Sequence, residues 1–230
     1  MKTKLHIFLT AIAGGLISAM PARAASMFGN QGLLFEEETK VEFEFLQSNG
    51  AWKGSFGVMN LGTGVENILL EENRNFDAGQ WWNDNLGTAG ETVLDPLASF
   101  TFEAGEQYSF FLRSDTGNGT TTQYSTTSKN DYYWFGSETV TTGGNNYDSS
   151  IDNQVVDRYQ RALFSGDLFS EDGVNIFWED NTAWGDNDFD DFVVKATSSN
   201  AESTPEPATL AGLGLVAGAM FLSRSGKKQK

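Results

Sequence analysis

The sequence predicts an all-β protein: one β-sandwich or jelly-roll-like domain, with a signal peptide before it and a hydrophobic sorting helix after it. Three observations predict the domain. Apolar and aromatic residues recur at every second position in short runs. Segments rich in Gly, Asn and Asp separate those runs. Few stretches carry helical periodicity long enough to compete. Many short strands joined by Gly-rich turns favour two packed sheets.

In chain order, Val41, Phe43 and Phe45 alternate with Glu42 and Glu44, and Phe56 shares a face with Val58. Phe100 pairs with Phe102 in the same way, and Tyr108, Phe110 and Leu112 repeat the pattern. Val174, Ile176 and Trp178 follow, and Phe192 and Val194 close the series. Period two with this composition predicts strands with one face against a core. Ser48-Asn49-Gly50, Gly62-Thr63-Gly64, Thr116-Gly117-Asn118-Gly119, Gly143-Gly144-Asn145-Asn146 and Glu171-Asp172-Gly173 are the turns between them. Residues 115–128, rich in Thr, Ser and Gly, read as an exposed loop carrying the sequon Asn118-Gly119-Thr120. Val155 to Leu163 has enough periodicity for one or two helical turns. No internal repeat is visible.

Composition narrows the chemistry. Eighteen Phe, six Trp and six Tyr in 230 residues can fill a core. Between positions 25 and 200, eight basic residues face 29 acidic ones, a net charge of −21. Such a body repels phosphate backbones and attracts cations, so nucleic acid is not an expected partner. The same acidity also serves plain solubility. The chain has no Cys, and its single histidine, His6, lies in the N-terminal segment. Without His6 there is no His for a Ser-His-Asp triad or a zinc site, and enzyme readings shrink to carboxylate chemistry. The chain is expected not to be an enzyme.

Both ends read as processing signals. Lys2 and Lys4 precede an apolar run from Ile7 to Met20, and Ala22-Arg23-Ala24 offers a small-residue cleavage site. Residues 1–24 are therefore expected to be a secretory signal peptide, cut by signal peptidase after Ala24 or Ala25. Residues 25–197 form the acidic domain and 198–203 a small-residue linker. Pro205, Glu206 and Pro207 follow, then a Leu-, Gly- and Ala-rich stretch through residues 208–222, then Arg224, Lys227, Lys228 and Lys230. As a helix, 208–222 spans about 22 Å at ~1.5 Å per residue, a marginal crossing of a bilayer core about 30 Å thick. The terminal cations belong on the cytoplasmic side. The two prolines keep the motif extended and outside that helix.

Residues 204–230, with this order of parts, resemble a PEP-CTERM sorting domain. The resemblance implies processing near Pro205-Glu206-Pro207 by an exosortase, a membrane transpeptidase of Gram-negative-type bacteria. It also implies export to the cell surface or extracellular matrix after a transient stay in the inner membrane. Such proteins often accompany exopolysaccharide and biofilm systems, so an extracellular polysaccharide or matrix protein is the expected partner.

One internal stretch stands out. Glu179 and Asp180 end the run Asn175-Ile176-Phe177-Trp178, and Asp186, Asp188, Phe189, Asp190 and Asp191 precede Phe192. This pattern resembles the signature of the bacterial domain of unknown function 4114 family, over about residues 100–196. Asp190 departs from the family's usual Asn. Asp186, Asp188 and Asp190 sit at i, i+2 and i+4, a spacing that converges on calcium in EF-hand loops. Yet Asp191 stands where such a loop needs Gly, and Thr197 where it needs Glu. The candidate metal ligands are Glu179, Asp180, Asp186, Asp188, Asp190 and Asp191, and the candidate cofactor is Ca2+. Turn-building carboxylates are the other reading. If residues 188–192 were strand, Asp188 and Asp190 would share a face. Trp81, Trp82 and Trp184, in polar surroundings, are candidates for stacking on sugar rings, or else they fill the core. Three readings of the domain remain: a calcium-stabilised surface module binding glycan or protein, a structural matrix protein without a specific ligand, and a carboxylate-only glycan hydrolase.

Overall fold

A computed structural model describes residues 25–78, 86–130, 139–142, 151–157, 159–180 and 188–198. The expected signal peptide, the sorting segment, Trp81, Trp82, Trp184 and Asp186 lie outside the described residues. Among the described residues no helix is long and apolar enough to cross a membrane.

The described chain is all-β. Its strands are β1 (Ala25–Gly29), β2 (Gly32–Phe35), β3 (Thr39–Ser48), β4 (Lys53–Asn60), β5 (Glu66–Glu71), β6 (Gly87–Thr88) and β7 (Leu97–Phe102). They continue with β8 (Gln107–Asp115), β9 (Thr120–Tyr124), β10 (Thr139–Thr141), β11 (Val155–Asp157), β12 (Ala162–Gly166), β13 (Val174–Trp178) and β14 (Phe192–Ser198). One six-stranded sheet runs β1-β2-β8-β4-β5, with β9 also paired to β8. The other runs β12-β13-β14-β3-β6, with β7 also paired to β3. A third, two-stranded ladder joins β10 and β11. All these ladders are antiparallel.

Alternation explains why these segments are strands. Along β3, Val41, Phe43 and Phe45 are buried while Lys40, Glu42 and Glu44 are exposed. The buried faces of both six-stranded sheets meet in one apolar cluster. The Phe43 ring of β3 lies 5.6 Å from both Phe56 of β4 and Phe110 of β8. Phe192 of β14 stands 5.0 Å from Phe45, and Trp178 of β13 stands 6.1 Å from Phe56. Each fully buried Phe contributes about 1.5–3 kcal/mol by leaving water. Edge-to-face pairs add about 0.5–1.5 kcal/mol each. Gly57 in β4 is required by this packing: a Cβ there would collide with the Asn67 carbonyl and stand 2.5 Å from the Phe111 ring.

A second, smaller cluster covers the far face of the β12-β13-β14-β3 sheet. Leu163, Phe177 and Val193 of that sheet pack there with Ile151, Val156 and Phe189. This sheet is therefore apolar on both faces in places, which is why Phe177-Trp178 and Val193-Val194 are consecutive apolar pairs.

Two local expectations change. Residues 120–124 are strand β9, paired with β8 from Phe111↔Tyr124 to Asp115↔Thr120, and a bend and a short 3-10 turn at Thr127–Lys129 follow it. The described residues between 155 and 163 form no helix: β11 lies at Val155–Asp157, and β12 begins at Ala162. The β-branched pair Val155-Val156 suits a ladder with Thr139–Thr141 better than a helical turn.

Candidate metal centre

Strand β13 ends at Trp178, whose side chain points into the core with Val174 and Ile176. The chain then carries Glu179 and Asp180 past the last rung of the ladder. Strand β14 starts opposite, where Phe192 pairs with Trp178. The residue before it, Asp191, thus arrives beside Asp180. The Asp180 amide donates a 2.7 Å hydrogen bond to Asp191 Oδ2. One carboxyl oxygen each from Glu179, Asp180 and Asp191 lies within 4.8 Å of the others.

Asp188 and Asp190 do not share a strand face. The strand begins only at Phe192, and Phe189 takes a left-handed backbone conformation, φ 57°. A buried aromatic residue seldom does so, and the strained turn reorients the chain between the two aspartates. Asp190 is directed to the β3–β4 turn, where the Asn49 side-chain amide donates to its Oδ2 at 3.2 Å and the Asn49 backbone amide to its carbonyl at 3.0 Å. Asp188 stays close enough for its charge to act on Asp191.

Glu179 and Asp180 are buried, and Asp191 is partly so. Burial pushes the Asp191 carboxyl well above the usual carboxylate range, and the charges of Asp180, Glu179 and Asp188 push it further. The hydrogen bond from the Asp180 amide opposes the rise. At about 4.8 Å and an effective dielectric of 20, each like-charged pair costs on the order of 3 kcal/mol.

Three contributors have no signal in sequence spacing. Gly50 lies against the carboxylates: a Cβ there would stand 3.1 Å from Asp191 Oδ1 and 3.5 Å from Asp180 Oδ2. The missing side chain leaves that side of the oxygens open. Asn49 anchors the adjoining turn. Glu72, just past β5, is 1% exposed and accepts hydrogen bonds from the Ser48 hydroxyl and, at 2.5 Å, the Gly54 amide. Burial, reinforced by the charge of Asp180, pushes its carboxyl up to about 8 against those two hydrogen bonds. A Glu following Leu70 and Glu71 looks like an ordinary surface residue; only the fold encloses it.

The donor set fits a hard cation: three carboxylates, no nitrogen or sulfur, and a cradle floored by Gly50. Glu179, Asp180 and Asp191 would hold the ion, with Asp188 beside them. No family model, no curated protein and no solved structure matches the chain.

Proposed function

We propose that this chain is an exported β-sandwich module of the cell surface or extracellular matrix, stabilised by calcium and presenting its surface to glycan or protein. The observation that carries the calcium reading is the convergence of Glu179, Asp180 and Asp191 on one spot that Gly50 keeps open. Crowded carboxylates, one of them held well above its usual range, are what a divalent cation would relieve. The shared aromatic core of the two sheets supports a sandwich. The export reading rests on residues 1–24, and the sorting reading on Pro205-Glu206-Pro207 with the apolar stretch 208–222 and its basic end. In this reading an exosortase acts on the tail after a stay in the inner membrane, and the tail itself catalyses nothing. The hydrolase alternative needs an acid and a base that touch substrate. Glu72 and Asp191 are carboxyls with an acid's raised value; Glu72 is buried and accepts from Ser48 and Gly54, and Asp191 belongs to the acidic cluster.

Thermal unfolding of the purified chain in EDTA and then in millimolar calcium tests the calcium reading. At a hundred times its dissociation constant, an ion bound only by the folded state adds about 2.7 kcal/mol. The wild type is expected to melt at a higher temperature in calcium. Asp191→Asn should melt higher than wild type in EDTA, because a repulsion is gone, and should gain nothing from calcium. Equal calcium shifts in both proteins, or none in either, would remove this centre from the proposal.

A further inference from the structure

The described residues contain two Asn-Gly pairs, Asn49-Gly50 and Asn118-Gly119, and the fold treats them differently. Asn49 is tied down. Its side-chain nitrogen donates to Asp190 Oδ2, its backbone amide donates to the Asp190 carbonyl, and Gly50 is buried against Asp191. Asn118 sits exposed in the turn between β8 and β9, flanked by Gly117 and Gly119. That turn is closed by Thr116, whose amide and hydroxyl both donate to the Gly119 carbonyl, and by Asp115, which accepts from the Gly117 amide. None of these bonds uses the Asn118 carboxamide or the Gly119 amide. Among the described residues neither group makes a hydrogen bond.

We infer that Asn118 is a site of spontaneous deamidation, and that the fold protects Asn49 from the same reaction. The step needs only base and water. The Gly119 amide gives its proton to solvent base, and its nitrogen attacks Cγ of Asn118. The new N–Cγ bond closes a five-membered imide, while the Cγ–Nδ2 bond breaks and Nδ2 takes a proton and leaves as ammonia. Water then opens the ring. Cleavage at the side-chain carbonyl gives aspartate; cleavage at the main-chain carbonyl gives isoaspartate. The sum is amide plus water to carboxylate plus ammonium, with no oxidation. Glycine favours the attack because no side chain shields its nitrogen. The free carboxamide of Asn118 has no bond to break before its Cγ is reached. Each conversion adds one negative charge to a body already at −21 and, as isoaspartate, one methylene to the turn between β8 and β9.

The test follows both sites in one molecule. The full chain is incubated at pH 8 and 37 °C, and the peptides bounded by Arg113 and Lys129 and by Lys40 and Lys53 are weighed at intervals. A gain of one mass unit is expected in the first at least about tenfold faster than in the second, the factor that one hydrogen bond to a charged acceptor supplies. In urea the two rates should converge, since the protection of Asn49 is structural. Gly119→Ala should slow the first peptide; because that glycine sits at φ 155°, the two-site comparison within the wild type stands on its own if the variant folds poorly. Equal rates in the folded chain, or an Asn118 peptide that keeps its mass while Asn49 converts, would overturn the inference.

Discussion

Glu72 shows how one side chain sets a pH dependence. Its folded value of about 8 stands above the ordinary 4.5, so between those values the folded chain holds a proton that the unfolded chain has released. The stabilisation is whole below about pH 4.5 and drains away as pH rises through 8, at about 1.4 kcal/mol per pH unit for a single group. Asp191, also raised, adds a slope of the same sign. Urea unfolding at pH 5, 6.5 and 8 should show the wild type losing stability by several kcal/mol. In Glu72→Gln much of that slope should vanish, and at pH 8 the variant should be the more stable protein. The role of Glu72 was not legible beforehand, whereas Glu179, Asp180 and Asp191 stood among the six candidate ligands. Spacing singled out Asp186, Asp188 and Asp190, yet the left-handed Phe189 sends Asp190 to Asn49. The three oxygens that converge come from the ends of two paired strands, and the register between those strands is a tertiary fact.

At the scale of elements, legibility follows exposure. Strand β3 alternates cleanly because one face meets the core and the other meets water, and Val41, Phe43 and Phe45 announced it. In β8, buried residues run from Tyr108 to Leu112 without a break, because Ser109 and Phe111 are covered on the far side as well. The rings there explain the strand: the Arg113 guanidinium lies 5.2 Å from the Phe111 centroid and pairs with Glu66 at 2.6 Å. Strand β9 read as loop because Thr120, Thr121 and Thr122 have no apolar alternation, and it exists only by pairing with β8. Where β4 and β5 meet, a bulge between Phe56 and Gly57 shifts the register beside the point where Phe111 crowds Gly57. Gly57→Ala should therefore cost about 1–3 kcal/mol or more by overpacking, with no change in calcium response. Gly54→Ala should be milder if the Phe192 ring, 2.9 Å from the added carbon, can shift. Urea titrations of both variants separate the two cases.

Across the whole molecule, acidity is the dominant field. A net charge of −21 between positions 25 and 200 repels itself, and salt screens that repulsion over a Debye length of about 10 Å at 0.1 M. Raising sodium chloride to 0.5 M should raise the melting temperature of wild type and Asp191→Asn alike. Millimolar calcium should raise only the wild type. The pair of titrations separates general screening from a built site. The all-β class was readable from composition and period two because those signals are summed over many strands. Which strands neighbour one another was not, since β3 finds its partners in β6 and β7, in the middle of the chain, and in β14, about 150 residues on.

That arrangement governs when the protein can fold. Strand β14 is the last strand described, yet it lies inside its sheet, between β13 and β3. Its ladder with β3 joins residues about 150 positions apart, from Val193↔Gln47 to Ser198↔Val41. A chain emerging from its amino end can form the β1–β2 and β4–β5 hairpins early, but β3 must wait on one side until nearly the last residue of the domain has appeared. Such distant closure is slow and comes late. The sheet of β1, β2, β4, β5, β8 and β9 has all its strands by Tyr124, so one half of the sandwich can stand before the other is closed.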